Sequence, residues 1–394
     1  MKVLKCCQKA LICLAISSYI TNANATVRIT EIMTNNVATV ISDTYNYDGY
    51  VEFYNDGGNV NLNGWTVTNT KKGELNWSVK LKSDYILPNG YSLLFFGKKE
   101  TNSSEATKVQ YNYVGSIGEK LSTDEGSLSF ERNGEKMEIT YPTQYPHISY
   151  CENGFMMPTP GKENDKLVTS INNRVATPTI KSGNPGIYEN KLNVELECKT
   201  DGARIYYTIN GDIPTPEKGT LYNGSIQIDS TTGLRAKAYK DGMLFSEIMT
   251  GSYILPDKYH NKCVNTGEKL PVVSITANHD DLFSDMLGIY VEGTNGIANS
   301  CTPKSNYNQD WTRSANFEYI IDGKVVDNQE VEIGVYGGCT RVYIGKSLKI
   351  KANKRSGNNK MQYNKFFADR SKGPVDAAAT FAKKETAPKA TAKK

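Results

Sequence analysis

The stretch IYYTINGDIPTPEKGTLYNGSIQIDSTTGLRAKAYKDG, residues 205–242, holds three short runs in which Ile, Tyr, Leu or Ala alternates with polar residues. Each run ends in a turn pair such as Asn210-Gly211, Asn223-Gly224 or Asp241-Gly242. Asn and Gly accept left-handed backbone and Pro fixes φ, so these positions punctuate a chain of strands rather than helices. The same rhythm recurs through most of the sequence, and long helical periodicity is scarce. The pattern predicts a mainly β protein with two consecutive β-sandwiches. At 394 residues the chain is too long for one ordinary core, so several units are expected. Its 25 tyrosines suit half-buried strand faces as well as contact surfaces.

The 46 Lys and Arg nearly balance the 42 Asp and Glu, so the chain as a whole has no field that gathers nucleic acid or an anionic membrane. Nucleic acid is therefore not an expected partner. Residues 1–25 place Lys2, Lys5 and Lys9 before a short apolar run and end on Ala23-Asn24-Ala25. The run is too short to span a membrane, and the pattern predicts an export signal cleaved after Ala25, giving a secreted or cell-surface protein. Lipidation at Cys13 is the rival, with Leu11 and Ile12 poor neighbours for it.

Export would leave Cys151, Cys198, Cys263, Cys301 and Cys339 in an oxidising compartment, an odd number whose pairing the spacing does not reveal. There is no Cys-x-x-Cys, and His147, His260 and His279 stand far apart. A structural zinc site, a Cys/His nucleophile pair or a His-metal nuclease centre is thus not expected.

The expected division is 26–164 for a first sandwich, 165–175 for a linker, 176–255 for a second sandwich and 256–269 for another linker. A third segment follows at 270–367 and an Ala/Lys-rich tail at 368–394, whose composition predicts disorder. In the first unit, DGYVEFYNDGGNVNLNGWTVTN predicts a strand, a turn at Asp56-Gly57-Gly58 and a second strand through Trp65. The motifs ITEIM (29–33), VEFYN (51–55), VNLNGWTV (60–67), ILPNGYSLLFFG (86–97) and PTPGKEN (158–164) resemble the lamin-tail domain, an immunoglobulin-like sandwich that serves as an interaction or tethering module. In the second, Pro178, Gly186, Tyr188 and the 205–242 stretch resemble the small sandwich at the C-terminus of chitobiases and related hexosaminidases, an accessory module without catalytic machinery.

In the third segment, Asn278 is a plausible helix N-cap with Asp280 and Asp281 in the first turn, and GIYVEG (288–293) reads as a returning strand. LPVVSIT (270–276), GIYVEGTNG (288–296), NQDWTRSANFEYI (308–320), IGVYGGCTR and KSLKIKANKR (333–355) resemble the N-terminal part of the CotH family, spore-coat proteins and relatives with an atypical kinase-like α+β fold. That resemblance implies a bacterial exported protein and phosphoryl transfer from ATP with Mg²⁺. The family's acidic residues lie further along than this sequence extends, so no catalytic residue is assigned. The segment is read as partial, with strand faces and edges left uncovered.

Candidate contacts follow from residue type. Within the basic stretch 337–354, Arg341, Lys346, Lys349 and Lys351 are candidates for phosphate; in SLKIKA, period two puts Leu348, Ile350 and Ala352 on one face and Lys349 and Lys351 on the other, toward water. Asp43, Asn46, Asp48 and Glu52 offer oxygen ligands to a Ca²⁺ loop, although their spacing departs from the usual one and Asp-Gly is commonly a turn. Tyr206, Tyr207, Tyr222 and Tyr239 are candidates for stacking on sugar rings, against the commoner reading of core and cross-strand pairs. The leading expectation is a non-catalytic exported protein of binding or spacer modules that meets an extracellular protein or glycan and needs no cofactor. The alternatives are a CotH-type protein kinase and a carbohydrate-binding accessory protein.

Overall fold

The computed structural model describes residues 19–22, 25–97, 112–152, 154–165, 167–256, 270–363 and 366. The protein is mainly β, with stacked sheets and, among the described residues, one short α-helix, His279–Phe283. No helix among them is long and apolar enough to cross a membrane. Most of the expected export signal, the 257–269 stretch with Cys263, and the 368–394 tail lie outside the described residues. Tyr19–Asn22 forms a strand antiparallel to Ala25–Met33.

The first sandwich packs a seven-stranded sheet against a four-stranded one. In the larger sheet, Ala25–Met33, Gly49–Asn55 and Gly90–Phe96 lie side by side; the smaller one holds Thr66–Lys71, Glu74–Lys80, Gly126–Arg132 and Glu135–Tyr141. Alternation puts Val27, Val51, Phe53, Leu94 and Phe96 from one sheet against Val67, Leu128, Phe130 and Met137 from the other. The expected second strand does not run through Trp65. Val60–Asn61 pairs with Ile86–Leu87, the chain turns at Gly64 (φ 82°), and Thr66–Lys71 starts in the opposite sheet with Trp65 buried at the corner.

The second sandwich places Thr179–Ser182, Leu192–Glu197 and Ile226–Ile228 over Arg204–Thr208, Thr232–Tyr239 and Met249–Ile254. Val194, Leu196, Ile226 and Ile228 meet Ile205, Leu234, Ala236 and Ala238 in its core. The 165–175 stretch, expected as a linker, is packed in: Val168 pairs with Phe155 by two 2.8 Å backbone bonds and Val175 is buried in the second core.

The expectation of uncovered edges in the third segment is corrected on one side by the sheet itself, while Val272–Ala277 stays an outer strand. Gly186–Ile187 joins Met249–Ile254 on one side and Lys324–Val335 on the other, so the second sandwich's larger sheet continues into Arg313–Ile321 and Val272–Ala277. A Cβ at Gly186 would collide with the carbonyl of Gly323, which explains glycine at the seam. The segment has its own core around Trp311, Phe317, Val331, Ile333 and Phe366. GIYVEG is not a strand, because the amides of Gly288, Ile289 and Tyr290 turn back to the carbonyls of Ser284, Asp281 and Leu282. Asn278 precedes the helix without capping it; its Oδ1 accepts from the Ile213 amide at 2.9 Å, tying the helix to the second sandwich.

Candidate functional site

The loop at 34–48, between two strands of the first sandwich, is shaped by the buried Asn36. Its Nδ2 donates to the carbonyls of Val40 (2.5 Å) and Asp48 (2.8 Å), while Oδ1 accepts from the amides of Thr39 and Val40. Asp48 Oδ2 accepts from Ser42 (2.7 Å) and Thr44 (2.9 Å), and Gly97 lets that carboxyl approach because a side chain there would overlap it. So braced, the loop reaches the third segment. The Tyr45 ring packs on Trp311, Tyr47 donates to Asp281 at 2.7 Å, and Arg355 Nη2 donates to the carbonyls of Asn36 and Tyr47 at 2.7 Å each.

Behind this contact Arg313 and Asp281 are both buried, 3.6 Å apart at Nε and Oδ1. Arg313 also donates to the carbonyls of Leu287 (2.7 Å) and Thr312 (3.0 Å). Burial raises the Asp281 pKa and lowers that of Arg313; in each case the partner's charge opposes the shift. Burial and the neighbouring carboxylate hold the Tyr47 hydroxyl above its ordinary value. The first-turn carboxylate of the sequence reading is therefore one half of an interior ion pair.

Above it opens a cleft of about 430 Å³ between the loop and the strand Leu348–Lys351. Leu348 and Ile350 turn inward while Lys349 and Lys351 are exposed, as period two required. Lys120, Lys349 and Lys351 line the cleft with no ion pair among the described residues. Arg341 and Lys346 are not brought to it. Arg341 donates to the carbonyls of Gly337 (2.7 Å) and Tyr307 (2.9 Å); Lys346 donates to that of Tyr343 (2.9 Å) and sits over the rings of Tyr307 and Tyr290. A disulfide between Cys301 and Cys339 secures this neighbouring loop. Cys198 donates its thiol to the Ala176 carbonyl.

The four oxygen donors of 43–52 do not assemble. Asp43 accepts from Tyr113 and Ser116, Asn46 Oδ1 accepts from the Thr312 amide, Asp48 is bonded as above, and Glu52 lies in the sandwich. Among the described residues no three of His, Cys, Asp and Glu gather. Glu52 stands opposite Glu31 across two strands, both fully buried. Burial and then the Glu31 charge push its carboxyl up to about 8, against bonds from Thr30 and the Gly161 amide. Burial likewise raises Glu31, which accepts from Tyr50 and Thr159.

The four tyrosines form two edge-to-face pairs, Tyr206 with Tyr239 at 5.7 Å and Tyr207 with Tyr222 at 6.5 Å, on different cores. Tyr239 is buried and donates to the Pro214 carbonyl, so the set makes no exposed stacking platform.

Sequence reasoning missed Arg235 and Lys237. Leu234, Ala236 and Ala238 face the second core, and the alternate side chains would meet water in an isolated sandwich. Here the other units cover them. Arg235 pairs with Glu330 at 2.9 Å, and Lys237, without a hydrogen bond among the described residues, lies 3.4 Å from the Phe245 ring centroid. Burial, with Arg174 and Arg235 near it, holds the Lys237 pKa well below its ordinary value. Two basic residues on one face of a strand that itself holds no acidic residue were the one available signal.

Residues 184–250 match the chitobiase/beta-hexosaminidase C-terminal domain, within the second sandwich where that likeness was read. No curated protein matches the chain in sequence. Among solved structures, the CbhA fibronectin(III)-like modules of Clostridium thermocellum share 8% identity over 58% of this chain and 93% of that one, with a TM-score of 0.17. The ICAM-5 D1-D4 ectodomain fragment shares 9% over 78% and 82%, with a TM-score of 0.15. Scores this low bear on neither function nor the arrangement of the units.

Proposed function

We propose that the chain is an exported binding protein whose sandwiches, the first lamin-tail-like and the second chitobiase-type, position an acidic partner, an extracellular protein or glycan, over the cleft between the 34–48 loop and the Leu348–Lys351 strand. One observation carries this: Lys120, Lys349 and Lys351 line that cleft without an ion pair among the described residues. Asp48, Asp310 and Glu332 also line it, and of these Asp48 is engaged by Ser42 and Thr44 and Glu332 by Asn353 and Arg355. Low-dielectric walls focus the field of unpaired cations, so such a cleft attracts anions at a rate that falls with salt. The test is titration with heparin and with a poly-glutamate peptide at rising ionic strength. Binding to at least one should weaken with salt and drop further in Lys349→Glu/Lys351→Glu; absence of binding to both at low salt defeats the proposal.

A second reading, CotH-type transfer of phosphate from ATP, is favoured by Lys349 and Lys351 lining the same cleft as Asp48 and Asp310. The described residues do not fit Mg²⁺: no three potential ligands gather, and both Ser42 and Thr44 already bond Asp48. Labelled ATP with magnesium separates the readings, since transfer above a Lys349→Ala control would favour the kinase.

A further inference from the structure

A second cavity, of about 570 Å³, lies on the other side of the 354–356 segment, where all three units meet. Its volume falls in the range of about 300–1,000 Å³ typical of small-ligand pockets. What lines it differs in kind from the lysine-rich cleft. The charges here are already matched: Arg174 pairs with Glu247 at 3.1 Å, Lys354 with Asp124 at 3.0 Å, and Glu330 with Arg235 behind it at 2.9 Å. An anion would find no unpaired cation of the kind that faces the cleft.

What remains unmatched is hydrogen-bonding capacity. Four buried atoms of lining residues have no partner: Gln144 Oε1, Asn316 Oδ1, Glu330 Oε2 and Arg355 Nε. Gln144 and Asn316 are 4% and 3% exposed, so solvent does not satisfy them either. Leaving such a group unsatisfied costs about 1–3 kcal/mol, and three of the four are acceptors. His147, also in the wall, makes no hydrogen bond among the described residues; burial among Arg174, Arg235 and Lys237 keeps its imidazole neutral, with one nitrogen to donate and one to accept. Tyr145 and Pro146 add an apolar surface.

A ligand that suits acceptors in excess, one donor, paired charges and an aromatic wall must be neutral and carry several hydroxyls, each able to donate and accept. The geometry points to this cavity as a binding site for a neutral saccharide unit, free or at the end of a glycan. The amide nitrogens of Gln144 and Asn316 are held by the Pro142 carbonyl at 2.8 Å and by Asn328 Oδ1 at 2.9 Å, which leaves their oxygens to accept from its hydroxyls, and Tyr145 packs against a ring face. The site is separate from the lysine cleft and from the tyrosine pairs of the second sandwich, and it does not depend on the proposed acidic partner.

The test is saturation-transfer NMR on the full chain with a panel of neutral mono- and disaccharides, followed by titration of any binder. Gln144→Leu keeps the side chain's size and gives up, besides the unpartnered Oε1, one bond from Nε2 to the Pro142 carbonyl at 2.8 Å, so the variant should fold; its melting curve checks that. We expect one or more sugars to bind, with affinity reduced about tenfold or more by Gln144→Leu, unchanged by Lys349→Glu/Lys351→Glu, and little altered by salt. Binding that survives Gln144→Leu and an independent His147→Ala would place the sugar elsewhere and overturn the assignment. No binding by any sugar of the panel, or displacement of the sugar by inorganic phosphate, would overturn it equally.

Discussion

The ring of Tyr45, in a loop of the first sandwich, lies 5.2 Å from that of Trp311, in the core of the third segment. Both are buried. Removing Trp311 leaves a large cavity in a core that also holds Ala315 and Val335, and Trp311→Ala should cost about 3–5 kcal/mol. A double-mutant cycle with Tyr45→Ala should show coupling of about 0.5–1.5 kcal/mol, the usual worth of an aromatic pair beyond its area. Urea unfolding of the four proteins checks both; additive losses would mean that the rings merely neighbour one another.

Asp281 and Arg313 make a sharper case. Burial works against the charge on each, so their attraction offsets a desolvation cost rather than adding much stability. Asp281→Asn strands the guanidinium in the interior and should cost about 3–5 kcal/mol, whereas Asp281→Leu with Arg313→Met should cost clearly less than the single change. Thermal melts of both variants decide it.

Glu52 should make stability depend on pH. Its folded pKa, pushed up to about 8, exceeds the ordinary 4.5, so between those values the folded chain holds a proton that the unfolded chain has released. That stabilisation is fully present below pH 4.5 and is lost as pH rises toward 8. Glu318, raised by burial to about 7, adds to the same fall in the lower part of the window. Melting temperature should therefore decline across this range, and Glu52→Gln should flatten the decline most; a variant as steep as the parent would count against the assignment.

Much of the architecture was legible because it is local. Alternation in SLKIKA placed Leu348 and Ile350 inward and Lys349 and Lys351 outward, and turn pairs such as Asn210-Gly211 separated the strands of the second sandwich. What escaped was everything that depends on one unit covering another. Arg235 and Lys237 obey the alternation of their strand, yet both are buried, because the sequence does not say that Glu330 of the third segment will pair with the one and Phe245 lie under the other. GIYVEG carries β-forming residues, but its amides found carbonyls in the preceding helix and turn. Trp311 and Arg313 lay within a motif, while of their partners Tyr45 drew no reading and Asp281 was read as a carboxylate in a helix's first turn. The lysine cleft was half legible, since the face of Lys349 and Lys351 was plain and the opposite wall was not.

The Cys301–Cys339 bridge closes a loop of separation 38. Chain entropy alone makes such a link worth about 4 kcal/mol to the folded state at most. Replacing both cysteines with Ser should destabilise the chain by up to that amount and should speed amide exchange chiefly at 336–347, where Arg341 and Lys346 are held. Exchange that rises equally in the first sandwich would show that the bridge stabilises the whole assembly instead of this loop.

The tether between the 34–48 loop and Arg355 also sets a timetable. The strands of the first sandwich leave the ribosome early and meet partners close in sequence, but the carbonyls of Asn36 and Tyr47 wait for a guanidinium made some 300 residues later. Until then Tyr45 lacks the ring of Trp311. Contacts so distant in sequence form slowly, because a long loop must close before any of them is gained. The newborn protein is therefore expected to pass through a stage with the first sandwich formed and an aromatic loop exposed, and docking of the last segment is expected to be the slow step, during which association with other chains does most damage.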